Sequence, residues 1–160
     1  MAVDMFLSIS NIDGESKDGG HTNEMDILSW EFGIVNPGSF ENGGGGGSGR
    51  AEFNDLSISK YVDKATTKLM LNCANGTHLN EATLTVRKAG GTALEYIIFK
   101  MEKVKITNVV TGGSGDGDRL TENLTLAFEN FEVKYTAQAD DGTAGAISEV
   151  KWDIGTNAAK

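Results

Sequence analysis

The sequence is poor in cysteine, in long apolar runs and in positive charge. Cys73 is the single cysteine, so no disulfide can form within the chain, which fits folding in a reducing cytosol. No stretch approaches the roughly 20 apolar residues that a membrane helix needs, so membrane insertion is not expected. The formal net charge of −9 argues against nucleic-acid binding, which needs a basic surface.

The first residues lack the features of a secretory signal. Residues 1–9 carry no basic segment, and Asp4 stands where a signal peptide would be apolar. We therefore expect no cleaved signal peptide. If the protein leaves the cell, it leaves through dedicated machinery.

Alternating apolar residues dominate the chain and predict β-strands. The sequence holds 21 glycines and one proline, a balance that favours tight turns and loops between strands. A change of phase near Asn130 predicts a β-bulge. The predicted apolar rows are Met5, Leu7 and Ile9; Leu28, Trp30, Phe32 and Ile34; Ala82, Leu84 and Val86; Leu124, Leu126 and Phe128; Phe131, Val133 and Tyr135; and Val150, Trp152 and Ile154.

Residues 63–76 alone suit a helix. Ala65, Leu69 and Cys73 share one helical face, Asp63 or Thr66 can cap the start, and Gly76 can end it. Residues 94–110 predict the longest strand, and residues 88–92 before it predict a hairpin turn. The chain is thus expected to form one mostly-β domain over residues 1–160 with a single helix, which disfavours α/β folds.

A glycine-rich extended loop is predicted at about residues 36–50. Residues 44–51 read G-G-G-G-S-G-R-A, which only approximates a phosphate-binding loop: Arg50 replaces the lysine, and a strand is predicted to follow instead of a helix. A nucleotide site is therefore not expected. Long loops of this kind inside compact domains are usually functional or disordered.

Residues 112–128 join a glycine- and aspartate-rich turn to an alternating strand. Asp116, Asp118 and Glu122 do not have the spacing of a calcium loop, because Leu120 occupies a ligand position. Neither this segment nor any other predicts a metal site or a cofactor.

Cys73 and His78 are the nearest approach to a catalytic pair. A cysteine on the apolar face of a helix is more often part of the core, and no third group that would orient the histidine stands out. A Cys/His hydrolase is one alternative. A second alternative is a stand-alone β-barrel module that binds a small ligand under the glycine loop.

The sequence of residues 112–128 resembles the conserved block of the haemolysin-coregulated protein (Hcp) family, which forms the tube subunit of bacterial type VI secretion systems. Further similar segments follow in the family's order: Gly14-Glu15-Ser16-Lys17-Asp18, Ile27-Leu28-Ser29-Trp30, the glycine run, Asp55-Leu56, Lys60-Tyr61-Val62-Asp63-Lys64-Ala65-Thr66 and Arg87-Lys88-Ala89-Gly90-Gly91. Residues 137–150 are the part with no such anchor.

The resemblance implies a two-sheet β-barrel with one flanking α-helix, which assembles as a hexameric ring. It implies that rings stack into an inner tube that lies within a contractile sheath, carries a spike protein at its tip and holds effector proteins in its lumen. The protein would fold in the bacterial cytoplasm and then reach the medium or a target cell. These roles are structural and involve no catalytic residue.

Two sets of residues are predicted to contact partners. Glu31, between the inward-facing Trp30 and Phe32, should point away from the core, which makes it a candidate contact for cargo in the lumen. The glycine-rich loop is predicted to join ring to ring. The ring-stacking residues are Phe40, Gly43, Gly44, Gly45, Gly46, Gly47, Ser48, Gly49 and Arg50.

Overall fold

Strands account for most of the architecture. The structure, a computed structural model, describes residues 3–38, 50–89 and 93–160. Within them the chain forms ten strands and one helix. The elements are β1 (Val3–Ile9), β2 (Met25–Glu31), β3 (Ile34–Val35), β4 (Glu52–Phe53), β5 (Leu56–Tyr61), α1 (Thr66–Asn75), β6 (His78–Lys88), β7 (Leu94–Gly112), β8 (Thr121–Gln138), β9 (Ala144–Asp153) and β10 (Ala158–Ala159).

Eight of the strands form one sheet that closes on itself. Its order is β10-β9-β8-β5-β2-β1-β6-β7, and β7 also pairs with β8. The six strands from β8 to β7 therefore make a closed barrel, while β9 and β10 extend the sheet beyond it. The predicted fold class, a mostly-β barrel with one helix, is confirmed.

The barrel interior is filled with the side chains that the alternation predicted. Ala82, Leu84 and Val86 are buried, as are Leu124 and Leu126. Four residues of the predicted rows are exposed instead: Leu28, Ile34, Tyr135 and Val150. Leu28 is 41% exposed, because a β-bulge between Ile27 and Ser29 shifts the phase of β2 against β5.

The phase change near Asn130 is real, but the predicted bulge there is wrong. The pairing of β7 with β8 continues through Asn130 without a shift of register. The register shift in this pairing lies between Ile106 and Asn108. Instead Lys103, which lies at the phase change on β7, has a positive φ of 54°. The buried positions consequently change phase on both strands at the same level.

Helix α1 lies against the barrel through the predicted face. Ala65 and Leu69 are fully buried, and Cys73 packs against the core. Asp63 Oδ1 accepts a hydrogen bond from the Ala65 N–H at 2.9 Å, which satisfies a donor just before the helix begins. Gly76 ends the helix in the left-handed conformation at φ 68°, as predicted.

The predicted hairpin before the longest strand is also present. Lys88 of β6 pairs with Leu94 of β7, so the two strands run antiparallel from that point. Residues 90–92 of the turn lie outside the described residues. Tyr96 and Ile97 at the start of β7 pack against the core. The next residue, Ile98, is half-buried.

Candidate assembly surfaces

Glu31 lies on an exposed polar face of the barrel. Glu31 pairs with Ser57 of β5, and Ser57 pairs in turn with Thr125 of β8. Residues directly opposite in an antiparallel sheet share a face, so these three side chains lie together. Trp30, beside Glu31, points the other way and packs against the core, and Glu31 is exposed as predicted.

The polar face extends along the same three strands. Two residues away from Glu31, Ser29 pairs with Ser59, which pairs with Asn123. We define the polar face as Ser29, Glu31, Ser57, Ser59, Asn123 and Thr125. Hydroxyl and amide groups dominate it, and Glu31 is the charged member. Such a surface offers hydrogen bonds but little apolar area to hold a partner.

Strand β9 presents a free edge along most of its length. One side of β9 pairs with residues 130–138 of β8. On the other side, β10 covers only Trp152 and Asp153, and no further strand among the described residues pairs with β9 there. The outward backbone groups from 144 to 150 are thus available to another chain, which is the condition for edge-to-edge pairing, whereas the Lys151 carbonyl accepts a hydrogen bond from the Lys160 N–H.

Strand β2 has a second free edge. It pairs with β5 as far as Glu31, but with β1 only at Met25 and Asp26. After that point the side of β2 that faces away from β5 has no strand partner in the described part of the chain. The four neighbouring strands β9, β8, β5 and β2 therefore end in an unpaired edge at each side.

The β9 edge also carries uncovered apolar side chains. We call residues 132–138 of β8 and 144–151 of β9 the β8–β9 arm. Within it, Tyr135 is 47% exposed, Val150 50% and Ile147 56%. Val150 lies opposite Val133 on the face that continues from the core, whereas Ile147 pairs with the buried Thr136 on the opposite face. A partner that packs on both faces of the arm would remove these side chains from water.

The glycine-rich loop starts from a small ribbon of two strands. Ile34 pairs with Phe53 and Val35 with Glu52, so β3 and β4 bring residues 36 and 51 together. Of the predicted stacking residues, those from Phe40 to Gly49 lie outside the described residues. Arg50 is described: it is exposed and donates a hydrogen bond to the Ile154 carbonyl at 3.3 Å.

The structure does not bring Cys73 and His78 into contact through a hydrogen bond. Cys73 is partly buried against the core, and His78 is exposed at the start of β6, where it pairs with Lys105. In residues 3–38, 50–89 and 93–160, no group of three His, Cys, Asp or Glu side chains is placed to hold a metal ion. Over the same ranges, no helix combines the length and apolar character that crossing a membrane requires.

A buried ion pair between Lys60 and Glu122 was missed by the sequence reasoning. The two side chains are fully buried, with Lys60 Nζ 2.5 Å from Glu122 Oε1. Lys60 also contacts Asp63 at 2.9 Å, and Thr66 and Thr111 donate hydrogen bonds to Glu122. The network ties β5, β7 and β8 to the start of α1.

The signal for this pair was present in the alternation. Glu122 has the same parity as Leu124 and Leu126, and Lys60 has the same parity as Leu56 and Ile58. Both charges therefore had to point inward. Glu122, considered above with Asp116 and Asp118 as a possible calcium ligand, serves the core instead.

Comparison with known proteins identifies one family. Residues 6–135 match the family model described as "Type VI secretion system effector, Hcp". The chain is 47% identical over 159 residues to Protein hcp1 of Pseudomonas aeruginosa, and the match covers 98% of each chain.

Solved structures agree with the sequence match. Hcp1 from Salmonella typhimurium is 31% identical, with a TM-score of 0.81 and full coverage of both chains. A structure described as a type six secretion system protein has a TM-score of 0.93 at 26% identity, and covers 99% of this chain and 100% of its own. The similarity thus includes β9 and β10, beyond the part matched by the family model.

Proposed function

Since this chain belongs to the Hcp family of the type VI secretion system, we propose that it forms hexameric rings by edge-to-edge pairing and stacks them through its glycine-rich loop. Membership of the family makes the protein a secreted, ring-forming tube component, which is a structural role. The spike protein, the contractile sheath and effector proteins in the lumen are the further partners that we propose.

The two free edges carry the proposal for the ring. A ring needs two different surfaces on each subunit that meet head to tail and close on rotation. The β8–β9 arm and the free side of β2 are two such surfaces, at opposite ends of one run of four strands. Pairing the arm of one subunit with β2 of the next would continue the sheet and cover Tyr135, Ile147 and Val150.

The same pairing supports a role for Glu31 in the lumen. If the sheets of successive subunits join, the polar face of each continues into that of its neighbour. A wall of hydroxyl and amide groups would hold effector proteins weakly, and Glu31 would add charge to each subunit's share of that wall. We propose Glu31 as a cargo contact on this ground.

The ring proposal is tested by Val150→Asp. A charge in the arm would be buried unpaired in the ring, so we expect monomers or small species by light scattering where the natural chain gives about six subunits. Leu71→Asp is the matched control, because Leu71 is 61% exposed on α1, which packs on β7 and belongs to neither free edge. Hexamers of the Val150 variant, or loss of hexamers in the control alone, would contradict the assigned edges.

The stacking proposal is tested by shortening the glycine run. Residues 43–49 contain little apolar surface, and ordering each of them costs about 1–2 kcal/mol, so stacking should be weak in dilute solution. Reducing residues 43–47 to two glycines should leave hexamers intact and abolish secretion. If that deletion yields monomers, the loop belongs to the contact between subunits within a ring.

A further inference from the structure

His21 is held by a carboxylate at each of its ring nitrogens. It lies in the connection between β1 and β2, where Nδ1 is 2.6 Å from Glu24 Oε2. Nε2 is 2.7 Å from Glu95 Oε1, which belongs to the start of β7, 74 residues away. A neutral imidazole has one N–H and cannot donate to both acceptors, whereas the protonated ring donates to both. The geometry therefore fits a charged His21.

The surroundings of the ring are fixed by a second set of contacts. Phe6 of β1 stacks on His21 with ring centroids 4.4 Å apart and planes 8° from parallel. Arg87 of β6 lies over Phe6 and pairs with Asp18 at 2.6 Å and Asp4 at 3.1 Å. The hydrogen bond from Arg87 is the main reason that the pKa of Asp18 falls to about 2. Arg87 is thus balanced by Asp18, whose lowered pKa keeps its carboxylate charged.

Taken together, the surroundings of His21 favour its protonated form. Burial of the ring lowers its pKa, but the hydrogen bonds to Glu95 and Glu24 raise it by more, so the pKa lies above the ordinary 6.5. The charged groups around His21 are Glu24 and Asp18 from its own connection, Asp4 from β1, Arg87 from β6 and Glu95 from β7. Acids outnumber the one competing cation.

We propose that protonated His21 is a clamp that holds residues 21–24 against the start of β7 and releases them when it loses its proton. After deprotonation one ring nitrogen presents a lone pair to a carboxylate, so one of the two contacts becomes repulsive. His21 and Glu24 belong to the connection before β2 and to none of the barrel strands, so we expect the barrel to stay folded. The clamp concerns the single subunit and does not depend on the proposed stacking or cargo roles.

The direction of the pH effect follows from the raised pKa. A group that binds its proton more tightly in the folded state stabilises the fold fully below its unfolded pKa, here about 6.5. That stabilisation is lost as the pH rises through the folded pKa of His21. The connection should therefore be closed in mildly acidic solution and open in alkaline solution.

The natural chain supplies the first test. NMR titration of the His21 ring should place its pKa above the ordinary 6.5. Hydrogen exchange of residues 21–24, corrected for its intrinsic pH dependence, should rise about tenfold for each unit by which the pKa of His21 exceeds 6.5. Exchange in β5 should not change. A His21 pKa at or below 6.5 would overturn the proposal, and so would hydrogen exchange that does not change as His21 titrates.

A pair of variants tests the link to β7. Glu95→Gln removes one of the two carboxylates, so the His21 titration and the exchange transition should both move to lower pH. Glu102→Gln, an exposed position on the same strand, should leave both unchanged. If Glu95→Gln leaves the His21 titration unchanged, the contact between His21 and Glu95 does not control the protonation of His21.

Discussion

Removing the charge of Glu122 should destabilise the subunit more than any comparable change on its surface. Glu122→Gln keeps the size of the side chain and one acceptor oxygen, so it can still accept one of the two hydrogen bonds that Thr66 and Thr111 donate to the separate carboxylate oxygens. It removes the charge that faces Lys60 Nζ at 2.5 Å in a site from which water is excluded. Lys60 would then keep Asp63 as its ion-pair partner, at 2.9 Å.

The magnitude follows from the burial of both partners. Breaking a fully buried ion pair by removing one charge costs about 3–5 kcal/mol, because the other charge stays buried without compensation. Since Asp63 remains beside Lys60, we expect the lower end, about 3 kcal/mol. Domains of this size have stabilities of about 5–15 kcal/mol, so the variant should fold but unfold at lower denaturant concentration.

The assay is urea unfolding at one fixed protein concentration, because assembly would otherwise shift the apparent stability. Glu129→Gln is the matched control: its pair with Lys103 at 3.2 Å is exposed, and such pairs contribute at most about 1 kcal/mol. Lys60→Met combined with Glu122→Gln should be less destabilised than the sum of the single changes. A loss for Glu122→Gln no larger than that of the control would refute the reasoning.

Three further predictions concern other parts of the chain. Cys73→Ala should cost about 1–2 kcal/mol, and thiol reagents should label native Cys73 slowly, because it packs against the core; fast labelling at neutral pH would favour the hydrolase alternative. Gly14→Ala places a methyl group 2.5 Å from the Glu24 carbonyl and should cost about 1–3 kcal/mol in a thermal melt, whereas Gly19→Ala meets nothing within 4 Å and should be neutral. Glu31→Lys should reduce co-purification of a cognate effector, and unchanged retention of several effectors would remove Glu31 from the lumen contacts.

The sequence predicted the features that depend on neighbours along the chain. Period-two alternation located the long strands, since side chains alternate between two faces of any extended segment. The Ala65, Leu69 and Cys73 spacing located the helix, and Gly76 its end. The family resemblance rested on short segments, and the family model and the relatives confirm the family.

The bulge at Leu28 shows where local patterns fail. The row from Leu28 to Ile34 looked continuous, but one inserted residue in the pairing with β5 turned Leu28 outward. The pairing partner decides whether such an insertion is accommodated, and a strand read alone does not reveal it. The missed bulge left the orientation of Glu31 correct, because the bulge lies before Trp30.

The sequence by itself determined the β-rich character, the single helix and the placement of apolar side chains, because these follow from contacts within a few residues. Tertiary structure alone decided which charges meet. Lys60 and Glu122 are 62 residues apart, and His21 and Glu95 are 74 apart. It also decided which strand edges stay free, since an edge is unpaired only relative to every other strand of the closed barrel. Closure of the sheet brings distant segments together, and no pattern along one segment encodes its partner.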